Sequence, residues 1–141
     1  MPKVTMSTPV AMNADALWQA IGSFAAIGQW HPMLERVDAE GETKGSLRTL
    51  RLIGGAKLVE RLEEISPSER LYRYSIVESP LPISDYVAEI RVRDNGDGTS
   101  TVEWSSDFKV STSSEHDVVK TVQEVYQSGL DNLGRLYGMK R

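Results

Sequence analysis

From about residue 33 to residue 110 the chain is a succession of strand-like runs separated by very short connections, and its longest helical pattern follows them. The runs lie near 33–40, 44–53, 57–65, 70–78, 85–94 and 99–110. Between them stand Glu40-Gly41, Gly54-Gly55, Ser66-Pro67-Ser68, Ser79-Pro80-Leu81-Pro82 and Asn95-Gly96-Asp97-Gly98. A parallel neighbour needs a crossover of about a dozen residues or more, so connections this short call for antiparallel pairing. The clearest hairpin is the last. Tyr86, Ala88, Ile90 and Val92 share one face and are answered by Val102, Trp104, Ser106 and Phe108.

Upstream, Val4, Met6, Thr8 and Val10 alternate with Lys3, Thr5, Ser7 and Pro9, a half-buried strand over 3–11 whose proline suits an edge or strand end. Asn13 is placed to cap a short helix with an apolar stripe of Leu17, Trp18 and Ile21, ended by Gly22. Ser23 is placed to cap a second through Phe24 and Ile27, stopped by Gly28 and His31-Pro32. The long helix is expected over 115–138, capped by Ser114, with Glu115 and Asp117 in its first turn where the helix dipole favours acids. Its stripe is Val118, Val122, Val125, Gly129, Leu133 and Leu136, and Lys140-Arg141 lie beyond its end.

This order predicts one α+β domain over 1–141: a curved seven-stranded antiparallel sheet wrapped around a long C-terminal helix, with two short helices after the first strand closing one end. One helix is the only large element available to cover the sheet's apolar face. It cannot fill the concavity of seven strands, so space is left either for large side chains or for a guest. Gly129 and Gly134 each cost a helix up to about 1 kcal/mol relative to alanine. Close packing on the sheet explains them, or a ligand beside them does.

Composition narrows the chemistry. Sixteen Lys and Arg against twenty Asp and Glu leave a formal charge of -4, scattered along the chain. No basic stripe suggests nucleic acid and no polybasic run suggests an anionic membrane. No apolar run reaches the length of a membrane span, and the start of the chain lacks a secretory apolar region, so a cytoplasmic location is expected. There are no cysteines, which removes disulfides, thiolate metal sites and a cysteine nucleophile. The two histidines, His31 and His116, lie far apart in sequence, so no metal site is expected. Neither a serine elbow nor a Walker or dinucleotide fingerprint is present.

Strand alternation points to one place for chemistry. In Leu58-Val59-Glu60-Arg61-Leu62, the face carrying Leu58 and Leu62 also carries Glu60. If it faces inward, a carboxylate sits in an apolar wall, where desolvation raises its pKa unless a cation offsets it. The preceding run carries Arg48 on the face of Leu50 and Leu52, and Arg51 on the face of Leu47 and Ile53. Either face is a candidate for the inner one. A catalytic reading makes Glu60 a general acid/base and Arg48 the holder of an anion, with Tyr86 donating a hydrogen bond. The alternative is a pair that orients a ligand, because polar groups lining a cavity need partners whether or not they catalyse. Tyr72, Tyr74 and Ile76 share a face, as do Trp104, Ser106 and Phe108; these and Tyr86 and Ala88 form pocket wall or simple core. Trp30, His31 and Leu81 are candidates for its mouth, and Val125 and Gly129 for its helical side. His31 is read as a structural or gate residue, or else a base.

The chain resembles the START-related ligand-binding superfamily (the SRPBCC group), which includes polyketide cyclase/dehydrase-like proteins, the birch-pollen allergens, abscisic-acid receptors and lachrymatory-factor synthase. The resemblance rests on Asn13-Ala14-Asp15-Ala16-Leu17-Trp18 with Ile21-Gly22, on Phe24 through Trp30-His31-Pro32, on Val59-Glu60-Arg61-Leu62, on Ser79 to Tyr86, and on Val102-Glu103-Trp104. It implies a helix-grip fold, a pocket for a hydrophobic small molecule between sheet and helix, and no cofactor. The layout is nearest the receptor and synthase branch. That implies gate loops at Ile53-Gly54-Gly55-Ala56 and Ser79-Pro80-Leu81-Pro82-Ile83. It also favours Arg48, since an arginine and a glutamate of the synthase branch are implicated in proton transfer. The receptors' gate proline and histidine-arginine pair are missing here, as is the allergens' glycine-rich loop.

Overall fold

A computed structural model describes residues 2–111 and 114–137. Its elements follow the order β1 (Lys3–Val10), α1 (Ala14–Ile21), α2 (Ile27–Trp30), β2 (Leu34–Ala39), β3 (Leu47–Leu52), β4 (Lys57–Ser66), β5 (Leu71–Glu78), β6 (Ile83–Asp94), β7 (Ser100–Val110) and α3 (Glu115–Tyr137). The seven strands form one antiparallel sheet in the order β1-β7-β6-β5-β4-β3-β2. All neighbours but β1–β7 are joined by short connections, and β1 and β2 are the edges. The expected helix-grip α+β architecture is present. No helix among the described residues is long and apolar enough to cross a membrane.

The inner face of the sheet follows from side-chain alternation. Val4 and Val10 of β1, Tyr86 to Val92 of β6 and Val102 to Phe108 of β7 bury every second residue. Ala88 lies opposite Ser106, Ile90 opposite Trp104 and Val92 opposite Val102, which is the hairpin read from the sequence. Two irregularities adjust this alternation. Between Leu62 and Glu64 the register slips by one, so that Ile65 rather than Glu64 lies opposite Tyr72. In β6 the register shifts between Ser84 and Val87, and Asp85 adopts a left-handed φ of 52°. That bulge explains why β6 begins at Ile83 instead of 85, for Ile83 still pairs with Val110 beyond the break.

Asn13 caps α1 by accepting from Ala16 N at 2.9 Å. The second short helix departs from expectation. Residues 24–26 form a turn and α2 begins at Ile27, running through Gly28 to Trp30. Gly28 does not stop it; a Cβ there would lie 2.9 Å from Val37, so glycine is needed for contact with β2. Helix α3 buries Val118, Val122, Tyr126, Gly129, Leu130 and Leu133. Leu136, expected on this stripe, is 48% exposed, and Val125 is only half-buried. The buried face is centred nearer Tyr126 and Leu130 than that stripe, on the side away from Val125. Lys140 and Arg141 lie outside the described residues.

Helix α3 makes its close backbone approaches to β1, β7 and α2. It therefore lies along one side of the concave sheet. The space between it and the β3–β5 side is bridged only by side chains, and there a cavity remains.

Candidate functional site

The cavity has a volume of about 90 Å³. Its floor is Leu50 and Leu52 of β3, Leu58 and Glu60 of β4, Tyr74 and Ile76 of β5, Tyr86 of β6 and Trp104 of β7. Val122, Val125 and Tyr126 of α3 form its roof. Ile27, His31, Met33 and Leu34 close one side, and Ser79, Leu81 and Ile83 form the rim. An engineered cavity of about 150 Å³ admits benzene, and pockets for drug-sized ligands run to about 300–1,000 Å³. As it stands, this cavity fits a guest smaller than one aromatic ring. A larger one requires the rim to move.

Glu60 is the one carboxylate on the wall. It lies directly opposite Arg48 on β3, and both side chains turn inward while Arg51 is exposed. Arg48 Nε donates to Glu60 Oε1 at 2.8 Å, and Nη2 approaches the same oxygen at 2.7 Å but out of line for a second hydrogen bond. Arg48 Nη1 donates to the Phe24 carbonyl at 2.7 Å and to the Tyr72 hydroxyl at 3.2 Å. Its guanidinium also stacks over Phe24, 4.2 Å from the ring centre, and 4.8 Å from that of Tyr74. Arg48 is thus wholly enclosed behind Glu60 and does not border the cavity. Burial pushes the Glu60 carboxyl above the usual carboxylate range, and the neighbouring guanidinium only partly offsets this.

His31 joins the cavity wall to α3. Its Nε2 lies 2.8 Å from the Val125 carbonyl, and its Nδ1 accepts from Met33 N at 3.2 Å. These partners fix the neutral tautomer with hydrogen on Nε2, since a carbonyl only accepts and a backbone N–H only donates. Burial lowers its pKa, with the Val125 bond opposing. Both ring nitrogens are committed, so the ring offers no free base. Asn132 adds a second tie, donating to the Trp30 carbonyl at 2.8 Å. Gly129 makes room for both, because a Cβ there would meet the His31 ring at 2.7 Å and Trp30 at 3.0 Å. Packing explains this glycine.

Three buried tyrosines and a tryptophan supply the remaining polar groups. Trp104 Nε1 donates to the Tyr74 hydroxyl at 3.0 Å, and the Tyr86 and Tyr126 hydroxyls bond to each other. The Tyr126 ring stacks on Trp104 with centroids 4.1 Å apart and planes 14° from parallel. Burial raises the pKa of all three phenols, so they remain protonated.

Of the residues singled out from the sequence, the structure brings His31, Leu50, Leu58, Glu60, Tyr74, Ile76, Leu81, Tyr86, Trp104 and Val125 together around the cavity. It places Trp30, Leu62, Tyr72, Ala88, Ser106, Phe108 and Gly129 in the core away from it. Trp30 packs edge-on to Trp104 behind His31, Tyr72 against Phe24, and Phe108 against Tyr86. Sequence reasoning missed Tyr126 altogether, although its place four residues after Val122 carries the signal. Leu52 and Val122 were on the correct faces without being taken for wall. The Ser79–Ile83 loop forms the rim, whereas Ile53 in the glycine-containing loop over 53–56 is 69% exposed and stands off it. Among the described residues no group of His, Asp or Glu is placed to hold a metal.

The family model for polyketide cyclase/dehydrase and lipid transport matches residues 1–138. The chain belongs to this family. Its membership of the wider SRPBCC group accords with the helix-grip fold. The solved structure of the protein XoxI from Bacillus cereus is 30% identical, with a TM-score of 0.89, covering 97% of this chain and 96% of that one. An uncharacterised Bacillus thuringiensis protein is 31% identical with a TM-score of 0.87, covering 96% and 98%. Norcoclaurine synthase from Thalictrum flavum, in complex with dopamine and hydroxybenzaldehyde, shares the fold at 17% identity and a TM-score of 0.74, covering 96% and 85%. No curated protein matches significantly.

Proposed function

We propose that this member of the polyketide cyclase/dehydrase family binds a mostly apolar small molecule in the cavity between sheet and α3. The observation that carries this is the wall itself: an almost wholly aliphatic and aromatic lining interrupted by one inward-facing carboxyl, a composition suited to holding and orienting a small ligand. The rim at Ser79, Leu81 and Ile83 is the proposed way in. Native mass spectrometry of the purified protein, followed by denaturation, tests the reading: a released apolar compound supports it. A protein that is empty and also takes up no apolar compound from a mixed small-molecule library removes it.

A second reading, cofactor-free cyclisation, dehydration or isomerisation, is favoured by Glu60. The Arg48 contacts fall on Oε1, and burial raises the carboxyl's pKa, the direction that a carboxyl acting as both acid and base requires. In this reading Glu60 is the acid/base and Arg48 holds it in place. The aromatic pair seen in norcoclaurine synthase suggests aromatic compounds among the first to try. Glu60→Gln is expected to keep binding and lower turnover at least about 100-fold. Turnover unchanged in that variant rules the mechanism out.

A further inference from the structure

One polar atom of the cavity wall, Oε2 of Glu60, has no hydrogen-bond partner among the described residues, although the residue is only 5% exposed. Arg48 Nε donates to Oε1, and Nη2 lies against the same oxygen. Arg48 stands behind the carboxyl and does not border the cavity, so Oε2 is the oxygen turned toward it. The wall's other polar side chains are committed within the protein. The hydroxyls of Tyr74, Tyr86 and Tyr126 bond to one another and to Ser106, Trp104 Nε1 donates to Tyr74, and both His31 nitrogens are taken. Ser79 Oγ accepts from Leu81 N at the half-buried rim. A guest that covers Oε2 without pairing it costs the desolvation of a carboxyl oxygen.

The chemistry of the missing partner follows from the charges around it. Ionised, Oε2 only accepts; protonated, it carries the hydrogen, because the Arg48 donors face Oε1. A hydroxyl pairs with both forms, donating to the first and accepting from the second, so the raised pKa of Glu60 does not alter the match. A carbonyl pairs with the acid form alone. An ammonium pairs with the ionised form alone, and it adds a second buried cation where Arg48 already balances the carboxylate. An anionic group meets Glu60 and not the enclosed Arg48. We propose that Glu60 Oε2 anchors a hydroxyl group on an otherwise apolar, uncharged ligand, an inference that rests on the cavity being a ligand site. The ligand's carbon body then rests on Leu50, Leu58 and Ile76, the aliphatic wall beside Glu60.

Cyclobutanol and methylcyclobutane test it, since they differ only in a hydroxyl replaced by a methyl group and both are smaller than one aromatic ring. Their affinities are measured by methyl NMR titration of the wild type. A wall with no partner for the hydroxyl disfavours the alcohol by the full ratio of the two compounds' water-to-cyclohexane partition coefficients, measured alongside. The alcohol is expected to bind at least about tenfold better than that ratio allows, a factor of the size a hydrogen bond to a carboxyl supplies. The R48M/E60L variant removes both members of the pair at once, a replacement that buried pairs often tolerate. In it the excess is expected to vanish while the methylcyclobutane affinity changes less than about threefold, which also reports that the variant is folded; if it does not fold, the wild-type ratio decides alone. A wild-type ratio equal to the partition ratio, or an excess that survives in a folded variant, overturns the hydroxyl anchor and leaves the cavity reading intact. Failure of both probes to bind the wild type overturns both.

Discussion

Arg48 is the residue on which the site's geometry depends. Its Nε donates to Glu60 and its Nη1 to the Phe24 carbonyl and Tyr72, so it ties β3, β4, β5 and the turn before α2 together. Removing one partner of a buried pair leaves the other charge without compensation. Arg48→Ala is therefore expected to cost about 3–5 kcal/mol in urea unfolding, and Glu60→Gln less, because the amide oxygen still accepts from Nε. Equal losses would contradict this picture of the pair. His31 gives the pH dependence. Its folded pKa lies below the ordinary 6.5, so the folded state holds it neutral while the unfolded chain takes up a proton. Its contribution is fully present above 6.5 and is lost as pH falls through the folded value. Glu60, with its raised pKa, has the opposite sign, stabilising below the usual carboxyl value and losing that contribution as pH rises. Wild-type stability is expected to fall from pH 7.5 to 5.5 more steeply than that of His31→Gln; parallel curves would contradict it.

At the scale of elements, the two glycines of α3 separate packing from propensity. A Cβ at Gly129 would strike the His31 ring, which its two hydrogen bonds hold in place, whereas one at Gly134 would meet only Thr8 Oγ1 at 3.7 Å. Gly129→Ala is expected to destabilise by about 1–3 kcal/mol, as overpacking does. Gly134→Ala is expected to stabilise by up to about 1 kcal/mol through helix propensity. Thermal unfolding of both variants checks the contrast, and a harmless Gly129→Ala would contradict the clamp. Strands were readable from sequence because alternation over eight to twelve residues survives a boundary error, and the inward turn of Glu60 with Leu58 and Leu62 followed directly. The Arg48-or-Arg51 choice was not readable from alternation, since both faces of that run are equally apolar. Tyr126 and the exposure of Leu136 escaped because an aliphatic stripe defines the apolar face only to within its own width, and how far the helix is rolled on the sheet is set by packing.

At the scale of the whole molecule, the cavity exists because α3 is fastened along one side of the sheet. The backbone of α3 comes close to β1, β7 and α2, with His31 and Asn132 fixing it to α2, and the β3–β5 side is left spanned by side chains. Strand order and helix count were enough to anticipate a space between sheet and helix. They could not give its size, which depends on how far Trp104, Tyr74, Tyr86 and Tyr126 fill it. The sheet's outer face carries charged side chains instead. Its Arg73, Glu89, Arg91, Arg93 and Glu103 form surface ion pairs, each worth little to stability. The most direct test of a ligand cavity is a methyl NMR titration of the wild type with xenon, an apolar probe smaller than one aromatic ring. Saturable shifts are expected at Leu50, Leu58, Ile76, Val122 and Val125, with none at the exposed Ile53, Val77 and Val87. Shifts confined to those exposed positions, or no saturable shifts anywhere, would contradict it.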